Sequence, residues 1–338
     1  MRPTQEDIAR LAKVSQATVS RVLSGDERVV PEIRAKVERA VEEAKYRPDA
    51  RARSLRNRTS GMIGMAIRRP LGGLSGDPFY TSLISEILDN LADTGYRLAL
   101  QTIPPNEPQW SVYDELLRSR VVDGLLLVES ETEDVRLRNL HEDHFPFVLI
   151  GNPMGMEVAS VDNDNVEAGF LATSHLAENG FKNIAMLAGR RGITVSDDRI
   201  EGYLRAVQQH GQEALVWHSD FGPEAAYEVS LRALSVGDAV DGIVVLDDFL
   251  ALGVVSAARM LGLRIPHDLG LVSFNDTPIC CVLEGGLTSV SLNMPELIRS
   301  AIGTLVPAAR LRAAPEPGRT LVPAHLVVRG SSRREGQA

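Results

Sequence analysis

The sequence predicts an all-α head followed by a two-lobed α/β body of the doubly wound type. The head is indicated by two short amphipathic segments, joined by a tight turn, within residues 4–24. From Gly61 onward, short apolar runs alternate with amphipathic helical segments, a pattern typical of parallel sheets with helices on both faces. About ten strands are many for one open sheet, and the alternation breaks near Asp162. Two lobes with a cleft between them are therefore the expected packing.

The first two helices of the head form a helix-turn-helix pair. Thr4 is expected to cap the first helix, with Ile8 and Leu11 facing inward at i and i+3. Ser15 ends the turn and caps a second helix over residues 16–23. The second helix turns these residues outward: Gln16, Ala17, Thr18, Ser20 and Arg21. Short and hydroxyl side chains with a few long donors suit a helix in a DNA major groove, whereas a solvated helix more typically carries Lys and Glu.

A third helix is expected over residues 31–44, with Pro31 in its first turn. Its inward face is Ile33, Val37, Ala40, Val41 and Ala44. Residues 49–56 then carry a single large apolar side chain, Leu55, in a segment of about two turns that is too short to be stable as a helix alone. From composition, a basic linker and a conditional helix are equally good interpretations of this segment.

Charge is divided unevenly along the chain. The 338 residues carry a net charge of −9, but residues 1–60 hold 14 Lys and Arg against 9 Asp and Glu, a net of +5. The remaining residues hold 22 against 36, a net of −14. A basic head on an acidic body directs only the head toward phosphates.

Composition disfavours secreted and membrane proteins. The only cysteines, Cys280 and Cys281, are adjacent and unsuited to a disulfide framework, which favours a reducing cytoplasm. The first residues carry charges and no apolar run, so no signal peptide is expected. No apolar stretch is long enough to cross a membrane. We therefore expect a soluble, cytoplasmic protein.

The chain divides into four parts in this interpretation. They are the head (1–47), a hinge or linker (48–60), the body (61–330) and a flexible tail (331–338). Within the body we expect an N-lobe of residues 61–160 and 291–320 and a C-lobe of residues 161–290 and 321–330. The segment from Pro307 to Pro323 is expected to form a crossover and a final strand.

Clusters that could support catalysis or bind metal are weak. The run from His141 to His144 lacks the spacing that places two imidazoles on one helix face, so it is interpreted as a solvated helix end. Ser174 and His175 have no positioned acid, which disfavours a hydrolytic triad. The glycines after the strands fit neither a dinucleotide fingerprint nor a phosphate loop. We expect no metal, no cofactor and no enzymatic activity.

Five motifs in order carry a resemblance to a known family. They are DIARLAKVSQATVSRVL, YRPDARARSL, the segment from DPFY to GY, SDDRIEGY, and GLVSFNDTP followed by LTSV. Together they resemble the LacI/GalR family of bacterial transcriptional regulators over residues 4–330. The resemblance implies that the body is a periplasmic-binding-protein-like effector domain, and that the protein is a homodimer on a near-palindromic operator.

The resemblance also implies roles in DNA binding. The residues expected to face base edges are Gln16, Ala17 and Arg21. Those expected to meet phosphates are Thr4, Ser15, Thr18, Ser20 and Ser24. In this family the segment at 49–56 folds only on the operator, which makes Leu55 a minor-groove wedge flanked by Arg53 and Arg56.

In the cleft, the resemblance implies a small-molecule effector. The residues it places there are Phe79, Tyr80, Asn163, Arg199, Phe221, Asp247 and Asn275. Carboxylate and amide groups exchange hydrogen bonds with hydroxyls, and aromatic rings stack on apolar sugar faces, so this set favours a sugar. Two alternatives stay open: Arg199 as a salt-bridge partner of Asp197 or Asp198, and the aromatic side chains as core.

One departure from the family concerns the acid pair Asp247-Asp248, where relatives commonly carry Asn-Asp. The extra carboxylate disfavours an anionic effector. The runs VDNDN and VSFND with LTSV look most like the maltose or α-glucoside branch. The sequence therefore predicts a repressor of sugar-utilisation genes controlled by a mono- or disaccharide. The alternatives are a sugar-binding protein without operator control, and an activator or corepressor-dependent regulator.

Overall fold

The computed structural model describes most of the chain. The described residues are 3–23, 26, 28–46, 59–68, 76–103, 109–236, 240–283 and 285–334. The chain forms two compact units, Met1–Ser60 and Gly61–Ala338. No helix in the described ranges is long and apolar enough to span a membrane.

The first unit contains three helices around a small apolar core. They are α1 (Gln5–Ala12), α2 (Gln16–Leu23) and α3 (Pro31–Glu43). Thr4 and Asp7 form a reciprocal capping box at the start of α1, and Ser15 Oγ accepts the Thr18 N–H at 3.1 Å. Both predicted caps are therefore confirmed. Leu11, which we expected to face inward, is 53% exposed, and Ala12 is buried in its place.

The second unit begins with alternating strands and helices. These elements are β1 (Met62–Arg68), α4 (Pro78–Leu91), β2 (Arg97–Ile103), α5 (Gln109–Arg118), β3 (Gly124–Val128), α6 (Val135–Glu142), β4 (Phe147–Ile150) and β5 (Ala159–Asn163). Strands β3 and β4 are buried along their whole length, which explains their uninterrupted apolar sequences.

A second series follows the break predicted near Asp162. Its elements are α7 (Asn165–Glu178), β6 (Ile184–Ala188), α8 (Thr194–Gln209), β7 (Leu215–His218), α9 (Pro223–Ser235), β8 (Gly242–Val245), α10 (Asp248–Met260), β9 (Gly270–Phe274) and β10 (Thr288–Ser291). A short 3-10 helix, Pro278–Cys281, precedes β10.

The chain then returns to both lobes. Helix α11 (Met294–Leu311) and strand β11 (Gly318–Val322) join the N-lobe, and β12 (His325–Val327) joins the C-lobe. The N-lobe sheet has the parallel order β11-β5-β4-β3-β1-β2. The C-lobe sheet has the order β12-β10-β9-β8-β6-β7, with β12 antiparallel to β10. The predicted doubly wound, two-lobed fold is confirmed.

Two expectations about the C-terminal part are wrong. Pro307 lies inside helix α11 rather than in a crossover. Burial of the apolar face of α11 in the N-lobe core offsets the cost of an internal proline, about 3 kcal/mol. The tail beyond Arg329 is not loose as far as residue 334, because Ser331 and Ser332 are buried. Ser331 Oγ donates to Leu271 O at 2.7 Å, and Ser332 Oγ lies 2.8 Å from Nε2 of His175.

Candidate functional site

A cleft lies where the carboxyl ends of the strands of both lobes meet. Side chains directly after β5, β8 and β9 line it, as expected for ligand sites in parallel sheets. Six predicted effector residues line this inner pocket: Phe79, Asn163, Arg199, Phe221, Asp247 and Asn275. Tyr80 does not line it. Its side chain is 1% exposed in the N-lobe core and packs edge-on against Phe79, with ring centroids 5.2 Å apart.

Arg199 is the central cation of the inner pocket. Its Nε donates to Asn165 Oδ1 at 3.0 Å and its Nη1 to Leu246 O at 2.6 Å. The guanidinium carbon lies 4.2 Å from the ring centroid of Phe274. Burial lowers the pKa of Arg199 to about 10, although several carboxylates oppose the shift. No salt bridge joins Arg199 to Asp197 or Asp198 among the described ion pairs, and Arg199 lines the inner pocket.

The orientation of Arg199 is fixed by a relay of polar side chains. Asn165, which receives the Arg199 N–H, donates from Nδ2 to Asp162 Oδ1 at 3.0 Å. Asp162 in turn accepts a hydrogen bond from Arg319 Nη2 at 2.8 Å. The relay runs from the edge strand β11 of the N-lobe to a helix of the C-lobe, so it links the two lobes through the cleft wall.

Asp247 and Asp248 have different surroundings. Asp247 caps helix α10 by accepting the Leu250 N–H at 2.7 Å, and it faces the cleft. Burial raises the pKa of Asp247 to about 7, with smaller contributions from the carboxylates of Asp77 and Asp248. The hydrogen bond from the Leu250 N–H opposes this rise in the pKa, and Arg199 opposes it to a smaller extent.

Asp248 is fully buried and holds strand ends in place. It accepts hydrogen bonds from Ser289 Oγ at 2.8 Å and from Thr277 N at 2.7 Å, as well as from Ser273 Oγ. These contacts join α10 to β9 and β10, directly beside Asn275. Asn275 has φ +96, a conformation that asparagine tolerates better than most residues.

Asn163 has a structural role in addition to its place in the pocket. Its side chain is 3% exposed, and Nδ2 donates to Leu292 O at 3.0 Å and to Val322 O at 2.8 Å. Residues 163, 292 and 322 lie on the three chain segments that cross between the lobes. One amide therefore ties all three crossovers together.

Opposite the crossovers, a second set of contacts joins the lobes. We call it the clasp: residues 130–132 of the N-lobe and 192–194 of the C-lobe. Glu131 and Ile193 form an antiparallel bridge, flanked by backbone hydrogen bonds from Thr194 to Ser130 and from Thr132 to Gly192. The hydroxyl oxygens of Ser130 and Thr194 are 2.7 Å apart. We call the arrangement in which these contacts are formed the closed arrangement.

Several residues that line the cleft were not predicted from the sequence. They are Asp77, Glu129, Asp162, Asn165, Arg190, Thr194 and Ser196. Asp162 and Asn165 lie in the VDNDN run, so a polar cluster at the carboxyl end of a strand is the signal that identifies them. Asp77 and Thr194 begin helices, and no local signal shows that these helix starts meet across a cleft.

In the head, helix α2 presents the predicted base-facing residues to solvent. Gln16, Ala17 and Arg21 are exposed, while Val19 and Val22 are buried against the other helices. Gln16 Nε2 donates to Gln5 Oε1 at 3.3 Å. Of the predicted phosphate contacts, Thr4 and Ser15 are exposed and serve as caps. Thr18 and Ser20 are half-buried.

Four predicted DNA-binding residues lie outside the described part of the chain. They are Ser24, Arg53, Leu55 and Arg56.

A helix-turn-helix head followed by a two-lobed α/β unit with a cleft at its strand ends is the organisation of a ligand-responsive regulator. Residues 4–49 match the model of the lacI family of bacterial regulatory proteins, and residues 173–332 match that of a periplasmic binding protein-like domain. The ribose operon repressor of Halalkalibacterium halodurans is 32% identical over 98% of this chain and 97% of that protein. The chain therefore belongs to the lacI family.

Further relatives and structures are similar over nearly the whole chain. The regulator CelR of Thermobifida fusca is 31% identical over 98% of both chains. A solved complex of a regulator CelR with cellobiose is 29% identical, with a TM-score of 0.74, over 98% of this chain and 100% of that one. The lac repressor dimer bound to operator is 22% identical with a TM-score of 0.85, which shows the shared fold. These relatives are transcriptional regulators rather than enzymes.

Proposed function

We propose that this protein is a DNA-binding repressor of sugar-utilisation genes whose operator affinity is set by a neutral sugar in the inner pocket. The observation that carries the proposal is the composition of this pocket. A buried guanidinium, a carboxylate and an amide, from Arg199, Asp247 and Asn275, line the same pocket as the rings of Phe79 and Phe221. Hydroxyl groups need donors and acceptors together, and sugar ring faces stack on aromatic rings.

Two of the relatives support a sugar as the effector. One is named a ribose operon repressor, and a solved relative holds cellobiose. Regulators named MalR are 28% identical over 78% of this chain, in keeping with the maltose or α-glucoside branch that the VDNDN run suggests. We propose that the protein represses its target genes. Such a protein acts on DNA in the cytoplasm and carries out no catalysis.

For the head, we propose that Gln16, Ala17 and Arg21 read base edges, and that the exposed or half-buried hydroxyls of α2 and its caps meet phosphates. The segment 49–56 acts as the minor-groove hinge, with Leu55 as its wedge between Arg53 and Arg56. Two such hinges meet at one operator centre, which requires a homodimer and a near-palindromic site.

A gel-shift titration with the full chain tests the proposal. The DNA is the promoter of the gene's own operon, with unrelated DNA as competitor and salt concentration varied. Specific binding should survive the competitor and show a steep salt slope. A panel of mono- and disaccharides is then added, and one of them should change the operator Kd at least tenfold. If no sugar changes the operator Kd, the protein is not a sugar-controlled regulator.

Variants separate the roles of the head and the cleft. Arg21→Ala should weaken operator binding by roughly 1–3 kcal/mol and relax sequence preference at one position. Leu55→Ala should reduce both operator affinity and DNA bending. Arg199→Ala should leave operator binding intact and abolish the response to sugar. An unchanged sugar response in Arg199→Ala would remove the inner pocket from the mechanism.

A further inference from the structure

The inner pocket continues into a second, outer pocket. The two share five lining residues: Val128, Glu129, Arg190, Ile193 and Phe221. The cavity volume is about 90 Å³ for the inner pocket and about 440 Å³ for the outer one. Sites for small molecules typically measure about 300–1,000 Å³. The inner pocket therefore holds only part of a typical ligand in this closed arrangement, and most of the available space lies outward.

Charges of both signs line the outer pocket. Among the described residues, Glu129, Glu131, Glu133 and Arg68 line it from the N-lobe, and Arg190 and Arg191 from the C-lobe. The buried Arg136 also borders it, but Asp134 neutralises this guanidinium through a contact of 2.6 Å. Such a balance attracts neither an anion nor a cation selectively. It suits a neutral group with many hydroxyls, which can donate to carboxylates and accept from guanidinium groups.

Aromatic side chains mark a path between the two pockets. Phe79 lines only the inner pocket and Tyr80 only the outer one, although the two rings pack against each other. Phe221 lines both pockets and stands at their junction. Aromatic side chains at the inner site and at the junction are groups that successive sugar units can pack against.

We propose that the effector is a neutral oligosaccharide of at least two units, with its first unit in the inner pocket and its second in the outer pocket. This inference rests on the proposed function, because the first unit must bind in the inner pocket. The outer pocket also includes clasp residues Glu131, Thr132, Gly192 and Ile193. The second unit thus contacts both lobes only when the clasp is closed. By binding the closed state selectively, it makes the allosteric response depend on chain length.

The test is calorimetric titration of the full-length protein with matched sugars. The probes are glucose, maltose and cellobiose; galactose, lactose and melibiose; and xylose and xylobiose. At least one disaccharide should bind ten times more tightly than either of its constituent monosaccharides. Arg191→Ala should remove this advantage and leave the monosaccharide Kd unchanged. Arg138→Ala, an exposed arginine outside both pockets, is the matched control and should change neither Kd.

The outcomes separate this inference from the proposed function. If a monosaccharide binds and controls the operator while no disaccharide binds more tightly, the outer subsite is refuted and the sugar-controlled repressor stands. The same holds if Arg191→Ala weakens the binding of both sugar sizes equally. If no sugar of the panel binds, the proposed function and the outer subsite fail together.

Discussion

Asn163 shows how one side chain can serve both the site and the movement of the lobes. Its Nδ2 group donates to carbonyl oxygens of residues 292 and 322, on two other crossovers. Asn163→Asp replaces this donor with an acceptor facing two carbonyls. An unsatisfied buried polar group costs roughly 1–3 kcal/mol. We expect the sugar-induced change in radius of gyration, measured by small-angle scattering, to be lost while operator binding without sugar persists.

Asn90→Asp is the matched control for this variant. The Asn90 amide donates at 2.9 Å to Glu86 O in its own helix and connects no crossovers. The Asn90→Asp variant should show the same sugar-induced change in radius of gyration as the unmodified protein. A sugar-induced compaction of normal size in Asn163→Asp would show that the amide does not hold the crossovers together.

Asp247 should make sugar binding depend on pH. Its pKa is raised from 3.8 to about 7 in the folded protein, so the folded state holds a proton that the unfolded state has released. Its contribution to stability is therefore largest at low pH and is lost as pH rises from about 4 to 7. Sugar binding responds in the opposite direction, since an ionised carboxylate accepts stronger hydrogen bonds from hydroxyls. We expect sugar affinity to increase several-fold between pH 6 and pH 8.

Asp247→Asn tests both pH dependences, that of stability and that of sugar affinity. Titration of the variant with the tightest-binding sugar should give the same Kd at pH 6 and pH 8. Thermal unfolding of the variant should show a smaller loss of stability between these pH values than the unmodified protein. If the variant keeps the full pH dependence of Kd, another group in the cleft is responsible.

At the scale of elements, a close helix crossing positions Arg199. Helices α7 and α8 approach each other through two glycines: a Cβ on Gly169 would lie 2.3 Å from Arg199 O, and one on Gly202 would lie 1.9 Å from Val166 O. Gly202→Ala therefore forces the helices apart. We expect a loss of roughly 1–3 kcal/mol in unfolding free energy, the usual cost of overpacking, and weaker sugar binding because Arg199 moves.

Gly303→Ala is an informative control because its expected effect on the unfolding free energy has the opposite sign to that of Gly202→Ala. Gly303 also lies in a helix, α11, but a Cβ there meets nothing within 4 Å. Alanine should stabilise this helix by up to about 1 kcal/mol. Chemical denaturation of both variants measures the two effects. Equal stability changes would mean that the α7–α8 crossing is not as tight as the distances indicate.

Elements with strong local signals could be predicted from the sequence, and elements defined by the cleft could not. The run GLLLV is a strand because both of its faces are buried. Strand β5 carries no such apolar run, because its sequence, ASVDN, ends in polar residues that serve the crossover and the site. Pro307 indicated a break, but burial of the long apolar face of α11 overrides that local preference. The predicted cleft residues follow the family motifs, whereas their relay partners depend on distant contacts.

At the scale of the whole molecule, sugar binding and lobe closure are coupled through two separate regions. Asn163 joins the crossovers, and the clasp joins the lobes directly; both regions contribute residues to the lining of the inner pocket. A sugar that contacts both lobes shifts the population toward the closed state. The change in operator affinity that a sugar produces cannot exceed the difference between the binding free energies of that sugar for the closed and the open state.

A substitution of Ser130 can weaken the closed state of the lobes without changing a residue that lines either pocket. Its Oγ lies 2.7 Å from Oγ1 of Thr194 and 2.6 Å from Asn152 O, and Ser130 lines neither pocket. A hydrogen bond contributes roughly 1 kcal/mol, so Ser130→Ala should lower the population of the closed state and weaken sugar binding about five-fold. Ser119→Ala, which loses a hydroxyl hydrogen bond to Glu115 O in the preceding helix α5, should leave the sugar Kd unchanged. An unaltered Kd in Ser130→Ala would show that the clasp does not contribute to the closed state that binds sugar.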